Sequence, residues 1–251
     1  MTLRLLQITD THLFADRAGR LKGIDTTAAL NAVIDTCHQR HPVPELVLLT
    51  GDLSHDGSAA SYRRVAEAAA ALDAPVLAIP GNHDDPAVMR QSGLGRERYR
   101  LMPGWQIIML DSTVTDEEQG RLAEDELAFL DDRLSRHPDR HALIALHHHP
   151  VPVGSRWLDA IGLENGHALF GITRRHPQVR VLVFGHIHQA FDKKRDGIRL
   201  LGTPASCVQF RPRADDFSLD ALPPGYRLLE LSADGAIATE VVRLPAQERS
   251  T

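Results

Sequence analysis

Cysteine is almost missing from this chain, which carries only Cys37 and Cys207. Two distant thiols form neither a cysteine zinc site nor a disulfide framework, so a stapled secreted fold is not expected and both are read as reduced and buried. Long apolar runs are missing too. The N-terminal apolar stretch soon meets Asp10, too short for a signal peptide, and nothing approaches the roughly 18 apolar residues of a membrane span. Positive charge is not in excess: 28 Lys and Arg against 33 Asp and Glu leave a net charge of −5. A broad nucleic-acid surface would ordinarily be basic. The expectation is a soluble, cytoplasmic protein with neither nucleic acid nor membrane as partner, its oligomeric state left open. A small anionic substrate stays compatible, because bound metals supply local positive charge that the residue count omits.

Histidine, by contrast, is abundant, with 14 in 251 residues. It is the commonest metal ligand, but its position has to decide. A hydrophobic content of 43% suits one globular domain, taken as residues 1–244, with 245–251 as a disordered tail. Near-continuous apolar runs at 3–9, 46–50, 75–79, 106–110, 142–146 and 179–184 read as strands. Helical spacing falls between them at 26–39, 58–72, 123–136 and 164–175. Beyond Gly185 come strands and turns, with strands at 198–201, 206–210, 226–231 and 237–242 and a long ordered loop over 211–225. Strands covered by helices predict an α/β fold, with the strand-rich end building a mixed second sheet.

Chemistry-bearing residues follow the strands. Asp10-Thr11-His12 follows the first, Gly51-Asp52 the second and Gly81-Asn82-His83-Asp84 the third. His147-His148-His149-Pro150 follows the run at 142–146, and Gly185-His186-Ile187-His188 the run at 179–184. The carboxyl ends of strands in α/β proteins line the ligand crevice. Asp10 and His12, like His186 and His188, are two apart, so in extended chain each pair faces one side. Glycines before Asp52, Asn82 and His186 permit tight turns and close backbone approach. A lone Asp-x-His or Gly-Asp is common, the latter usually a turn, and a triple His can be a surface accident. Five such motifs in order at five strand ends point to a metal site. Oxygen and nitrogen donors without thiolate suit Mn, Fe, Co, Ni or Zn.

The ordered set resembles the calcineurin-like metallophosphoesterase superfamily, whose pattern is D-x-H, G-D, G-N-H-D/E, a later H and G-H-x-H. A closer likeness is to the bacterial class III cyclic nucleotide phosphodiesterases. It is carried by Gln7-Ile-Thr-Asp-Thr-His-Leu-Phe14, Gly81-Asn-His-Asp84, Leu146-His-His-His-Pro150, Gly185-His-Ile-His-Gln189 and Thr203-Pro-Ala-Ser-Cys-Val-Gln-Phe210. The resemblance implies a four-layer αββα sandwich of two mixed sheets. It implies two divalent ions, with Fe or Mn foremost. One would be held by Asp10, His12, Asp52 and His188, the other by Asp52, Asn82, His147 and His186, with Asp52 bridging. His147 is preferred to its neighbour His148 because it directly follows the strand.

The implied reaction is hydrolysis of 3′,5′-cyclic AMP to 5′-AMP by a metal-bridging hydroxide, with His12, Asp52, Asn82, His83 and His188 near the phosphate. Two divalent ions set against two carboxylates and one hydroxide leave the site net positive, which attracts a diester monoanion. His83, beside a ligand but not one in the pattern, is the group to protonate the departing oxygen, with Asp84 either orienting it or capping a helix before Pro86. His149 is assigned to the second shell or the surface. His55 and His167 are possible pocket residues, and His38, His41, His137, His141 and His176 are expected to be solvated. Where purple acid phosphatases carry a tyrosine ligand stands His55, and the extra arginines of the large protein phosphatases have no counterpart. Two alternatives remain: a broader diesterase acting on glycerophosphodiesters or 2′,3′-cyclic nucleotides, and a non-catalytic binding protein on the same scaffold. No motif reads a purine, although residues 203–210 and the 211–225 loop are candidates to border the base.

Overall fold

The computed structural model describes residues 2–245. The tail expected from residue 245 onward therefore lies, beyond Pro245, outside the described residues. The chain begins with β1 (Thr2–Ile8), the hairpin β2 (Arg20–Leu21) and β3 (Ile24–Asp25), α1 (Thr26–Arg40), β4 (Leu46–Thr50), α2 (Ala59–Ala70) and β5 (Val76–Ile79). It continues through α3 (Pro86–Gln91), β6 (Tyr99–Met102), β7 (Trp105–Met109), α4 (Glu124–Arg136), β8 (His141–Leu146), α5 (Arg156–Asp159), α6 (Gly166–Thr173) and β9 (Val179–Phe184). The end is all strand: β10 (Phe191–Arg195), β11 (Ile198–Gly202), β12 (Gln209–Phe210), β13 (Leu219–Asp220), β14 (Gly225–Ser232) and β15 (Ile237–Arg243).

Two mixed sheets result, in the orders β15-β14-β1-β4-β5 and β10-β11-β9-β8-β7-β6. The strands read as continuous apolar runs are buried on both faces, as β4 and β7 show along their whole length. One face of each sheet meets the other sheet in a shared core that includes Leu5, Leu48, Leu77, Ile107, Leu143 and Val181. The outer faces are covered by helices. Leu30 and Val33 of α1 and Val65 of α2 pack on the first sheet, and Leu130 of α4 and Phe170 of α6 on the second. This is the expected four-layer α/β sandwich. Asp25 caps α1 by accepting from the Ala28 N–H, and Ser58 caps α2 by accepting from the Ser61 N–H. Among the described residues no helix is long and apolar enough to cross a membrane.

The strand-rich end does not build a second sheet of its own. The second sheet already starts at β6 and β7, and the late strands divide between the two. β10 and β11 extend the second, while β14 pairs antiparallel with β1 and β15 with β14. The expected strand at 206–210 contracts to β12, whose partner β13 lies inside the stretch read as loop. A polar link crosses the inter-sheet core. The Gln7 amide donates to Thr50 Oγ1 at 2.9 Å and to the Phe184 carbonyl at 3.2 Å, while the Thr203 hydroxyl donates to Gln7 Oε1 at 2.5 Å. Gln7 is fully buried, so these bonds offset its desolvation and help fix the alignment of the two sheets.

β1, β4 and β5 run parallel in one sheet and β8 and β9 in the other. The five motif-bearing segments thus leave the sandwich at the carboxyl ends of these strands. Leu48 lies in the shared core at 0% exposure. Leu48→Ala should lower the unfolding free energy by about 2–5 kcal/mol, seen as a lower urea midpoint at unchanged slope. An unchanged midpoint would mean that the sheets do not depend on this contact.

Candidate metal centre

Backbone pairing persists beyond the strand ends and locks the motif loops together. The Asp10 N–H donates to the Gly51 carbonyl at 3.0 Å, the His12 N–H to the Asp52 carbonyl at 2.9 Å, and the Gly185 N–H to the His147 carbonyl at 3.2 Å. These loops turn sharply. Asp10, His12, Asp52, His186 and His188 all have positive φ, between 45° and 66°. Such backbone costs a non-glycine residue of order 1–3 kcal/mol and concentrates at functional sites. Gly51 has φ 93°, and a Cβ there would lie 2.4 Å from His147 Nδ1. A Cβ at Gly185 would lie 2.1 Å from the Thr9 hydroxyl. The glycines preceding the ligand candidates are therefore needed for space.

All seven expected ligands converge. Around one locus, His188 Nε2 lies 3.4 Å from Asp10 Oδ1 and 3.4 Å from His12 Nε2, which is itself 3.5 Å from Asp52 Oδ2. Around the adjacent locus, Asn82 Oδ1 lies 3.2 Å from His147 Nε2 and 3.1 Å from His186 Nδ1, with His147 Nε2 3.5 Å from Asp52 Oδ1. Asp52 faces both loci. Asp10, His12 and His188 bring ligand atoms within 4.8 Å of one another, as do Asp10, Asp52 and His147.

The other ring nitrogens explain the orientation. His147 Nδ1–H donates to the Thr50 carbonyl and His188 Nδ1–H to the Val208 carbonyl, both at 2.8 Å. That leaves each Nε2 lone pair aimed at oxygen acceptors. His148 differs: Nδ1 is engaged by the Ser112 hydroxyl at 2.8 Å and Nε2 by the Glu118 carbonyl at 3.1 Å. The geometry therefore favours His147 over His148 as the donor of this triplet.

This donor set fits a pair of divalent cations. Asp10 and Asp52 are 0% and 3% exposed, and among the described residues neither meets a Lys or Arg. Buried carboxylates need a cation, and acceptor lone pairs crowded at 3.1–3.5 Å need a positive charge between them. His186 Nε2 is moreover buried with no hydrogen-bond partner. Burial, with His188 and His83 adding to it, lowers the His12 pKa to about 3 despite Asp52, so its ring stays neutral and able to ligate. Burial likewise holds His186 well below the ordinary value. For His147 burial opposes protonation, but Asp52 and then Asp10 overcome it and raise the pKa to about 9. Burial alone would raise the Asp52 carboxyl, yet His147 and then His12 and His83 hold it well below the usual range.

His83 sits exposed at the mouth. Its backbone N–H donates to Asp52 Oδ1 at 2.9 Å, and its ring stacks on half-buried His55 at 4.9 Å. Asp84 does neither of the jobs expected of it. Its oxygens accept from the N–H groups of Gly81, Leu53 and Ser54 at 2.8, 3.1 and 2.9 Å, tying the loop after β5 to that after β4. Burial and then the Asp52 charge push its carboxyl up to about 6, against those three bonds. The cap before Pro86 is Asp85.

His55 does line the site, with Nδ1 3.3 Å from His12 Nδ1, whereas His167 is exposed on α6 away from it. His149 is buried and lies parallel to His186 at 5.6 Å. His41 and His176 are not simply solvated: they bond the Tyr226 hydroxyl and Asp131 Oδ1, each at 2.7 Å. The segment 203–210 has a role the sequence did not suggest. Its Ser206 N–H donates to the Thr9 carbonyl and its Cys207 thiol to the Asp10 carbonyl, both at 3.0 Å, bracing the turn that holds Asp10.

Comparison with known proteins agrees with this architecture. The family model for the calcineurin-like phosphoesterases matches residues 3–190. The 3′,5′-cyclic adenosine monophosphate phosphodiesterase CpdA of Escherichia coli K12 is 43% identical over 96% of this chain and 90% of its own length. Its Pseudomonas aeruginosa namesake is 42% identical over 96% and 89%. Among solved structures, a dimetal phosphatase from Danio rerio superposes with a TM-score of 0.67 over 91% of this chain and 95% of its own, at 16% identity, a likeness of fold alone. With its motifs gathered at one edge and most of its length matched, the chain belongs to the calcineurin-like phosphoesterase family.

Proposed function

We propose that the protein hydrolyses 3′,5′-cyclic AMP to 5′-AMP. Asp10, His12, Asp52 and His188 would hold one divalent ion, and Asp52, Asn82, His147 and His186 the other, with Asp52 shared. The observation that carries the reading is a set of seven donors, six of them buried, that includes two carboxylates which among the described residues meet no Lys or Arg. The near full-length likeness to cyclic AMP phosphodiesterases supports the substrate. Iron and manganese are the proposed native pair, with zinc, cobalt and nickel also suited to these donors. The two buried free thiols are in keeping with a cytoplasmic enzyme.

When bound, the two ions supply Lewis acidity and lower the pKa of coordinated water towards about 7. The chain's residues do the rest. Asn82, a neutral donor, keeps the site more positive than an aspartate there would, which favours a diester monoanion. His83, exposed and anchored to Asp52 through its backbone, would give a proton to the departing 3′ oxygen. His55 packs against both His83 and His12 and holds their rings in place.

Metal-loaded protein offered cyclic AMP, cyclic GMP, 2′,3′-cyclic AMP and a glycerophosphodiester should release 5′-AMP from the first. Rapid turnover of another diester with negligible opening of cyclic AMP would move the assignment to the broader diesterase. His83→Ala should cut kcat by about 10²- to 10⁴-fold while elemental analysis still finds two metals per chain. Loss of a metal from that variant would show His83 to be structural.

A further inference from the structure

The hydrolytic reading leaves one group of side chains beside the metal centre without a task. The Phe210 ring lies parallel to the His188 imidazole, with centroids 4.0 Å apart and planes 8° from parallel. Trp157 of α5 meets Phe210 edge-on at 5.1 Å. Phe217, between β12 and β13, meets both edge-on, at 5.4 Å from Phe210 and 5.3 Å from Trp157. The chain has only seven Phe and two Trp, so three of these nine rings gather at this one corner.

Core packing accounts for Phe210 but not for Phe217, which is 49% exposed. Over its ring, 5.3 Å from the centroid, lies Lys22 Nζ. Lys22 is exposed at the tip of the β2–β3 hairpin with φ 48°. The strand that leads into it is anchored: Leu21 of β2 packs on Ala205, Cys207 and Val208, the segment that braces Asp10. Two short hairpins from distant parts of the chain therefore meet beside His188, to which Phe210 connects them. On the His12 side of the centre, Phe14, His55 and His83 form a second ring series, with successive centroids 4.6 and 4.9 Å apart.

We propose that this corner is a nucleobase subsite, in which a nucleotide with its phosphate at the metal centre stacks its base on Phe217 while Lys22 donates to a ring nitrogen. The inference rests on the diesterase reading and deepens it. An aromatic face accepts any base, because every base has a π face. Lysine is a donor only, so it suits the acceptor nitrogens that all purines carry. The subsite thus separates nucleotides from diesters that lack a base, and it does not separate adenine from guanine. Phe210 and Trp157, both edge-on, fix the Phe217 ring. The surface cation–π contact of Lys22 is weak enough to be exchanged for a base.

The test is calorimetric binding of 5′-AMP and of ribose 5-phosphate, which lacks the base, to metal-loaded protein. The wild type should prefer 5′-AMP by about 5- to 100-fold. Phe217→Ala should lose most of that preference with ribose 5-phosphate affinity unchanged, Phe217→Trp should keep it, and Lys22→Ala should lose a smaller share. Equal affinity of the wild type for both ligands, equal 5′-AMP binding by wild type and Phe217→Ala, or a proportionate loss of both ligands would each overturn the subsite. Cyclic AMP opening by the wild type is scored separately. Opening without any base preference sinks the subsite and leaves the function, whereas base preference without opening sinks the function and leaves the subsite.

Discussion

The carboxylate of Asp52 is the point on which the molecule hangs. It is buried, it faces His12 through one oxygen and His147 and the His83 N–H through the other, and among the described residues no Lys or Arg offsets it. A lone buried carboxylate costs several kcal/mol even after the protein relaxes around it. Six further donors point at the same volume, and with the Nδ1–H groups of His147 and His188 given to backbone carbonyls, their Nε2 atoms meet carboxylate oxygens as lone pair against lone pair. Such an arrangement is poor as a self-contained hydrogen-bond network and good as a cage for cations. The Asp52 charge, which raises the His147 pKa to about 9 against its burial, expresses the same demand for positive charge.

The fold bears the strain this demands. Five of the seven donors sit in left-handed backbone, and loops in that state would relax if they were free. They are not free. Their N–H and carbonyl groups continue the sheet pairing past Ile8, Thr50, Leu146 and Phe184, and Asp84 ties two of them together with three accepted bonds. Gln7 and Thr203 join the sheets immediately below. Asp84 thus serves the site through the backbone of its neighbours, which a charge placed next to a histidine in sequence does not reveal.

Much of this was legible in the sequence because burial on two faces leaves a plain mark. β4, β8 and β9 are continuous apolar runs, and each delivers its motif directly afterwards. Elements on the rim leave no such mark. β10 reads Phe-Asp-Lys-Lys-Arg and is exposed over four of its five residues, so nothing in its composition announces a strand; its pairing with β11 alone makes it one. α3 is only six residues long and begins at a proline. The destination of the last strands was hidden for another reason. β14 has the alternation of a half-buried strand, and alternation says which face is buried but not which sheet the strand joins. The donors were legible as residue types in order, whereas the left-handed turns that aim them and the choice between His147 and His148 depend on contacts distant in sequence.

The donors and the mouth are built from different materials, and this bears on how specificity and chemistry relate. Every donor follows a strand of the packed sandwich, so replacing one takes a ligand from loops tied to the sheets, and at five of the seven it also disturbs a left-handed turn. The residues beside the centre belong to hairpins of two-residue strands, β2–β3 and β12–β13, joined to the rest by a few bonds such as the Phe210 N–H to the His188 carbonyl at 3.3 Å. Changes at Lys22 or Phe217 alter what lies beyond His188, whereas Val208 and Phe210, which bond its ring and its backbone, also hold it. One sandwich can therefore serve many phosphate esters: the hydrolytic centre is tied to the shared core, and the surface that meets the rest of the substrate is carried on elements the core hardly constrains.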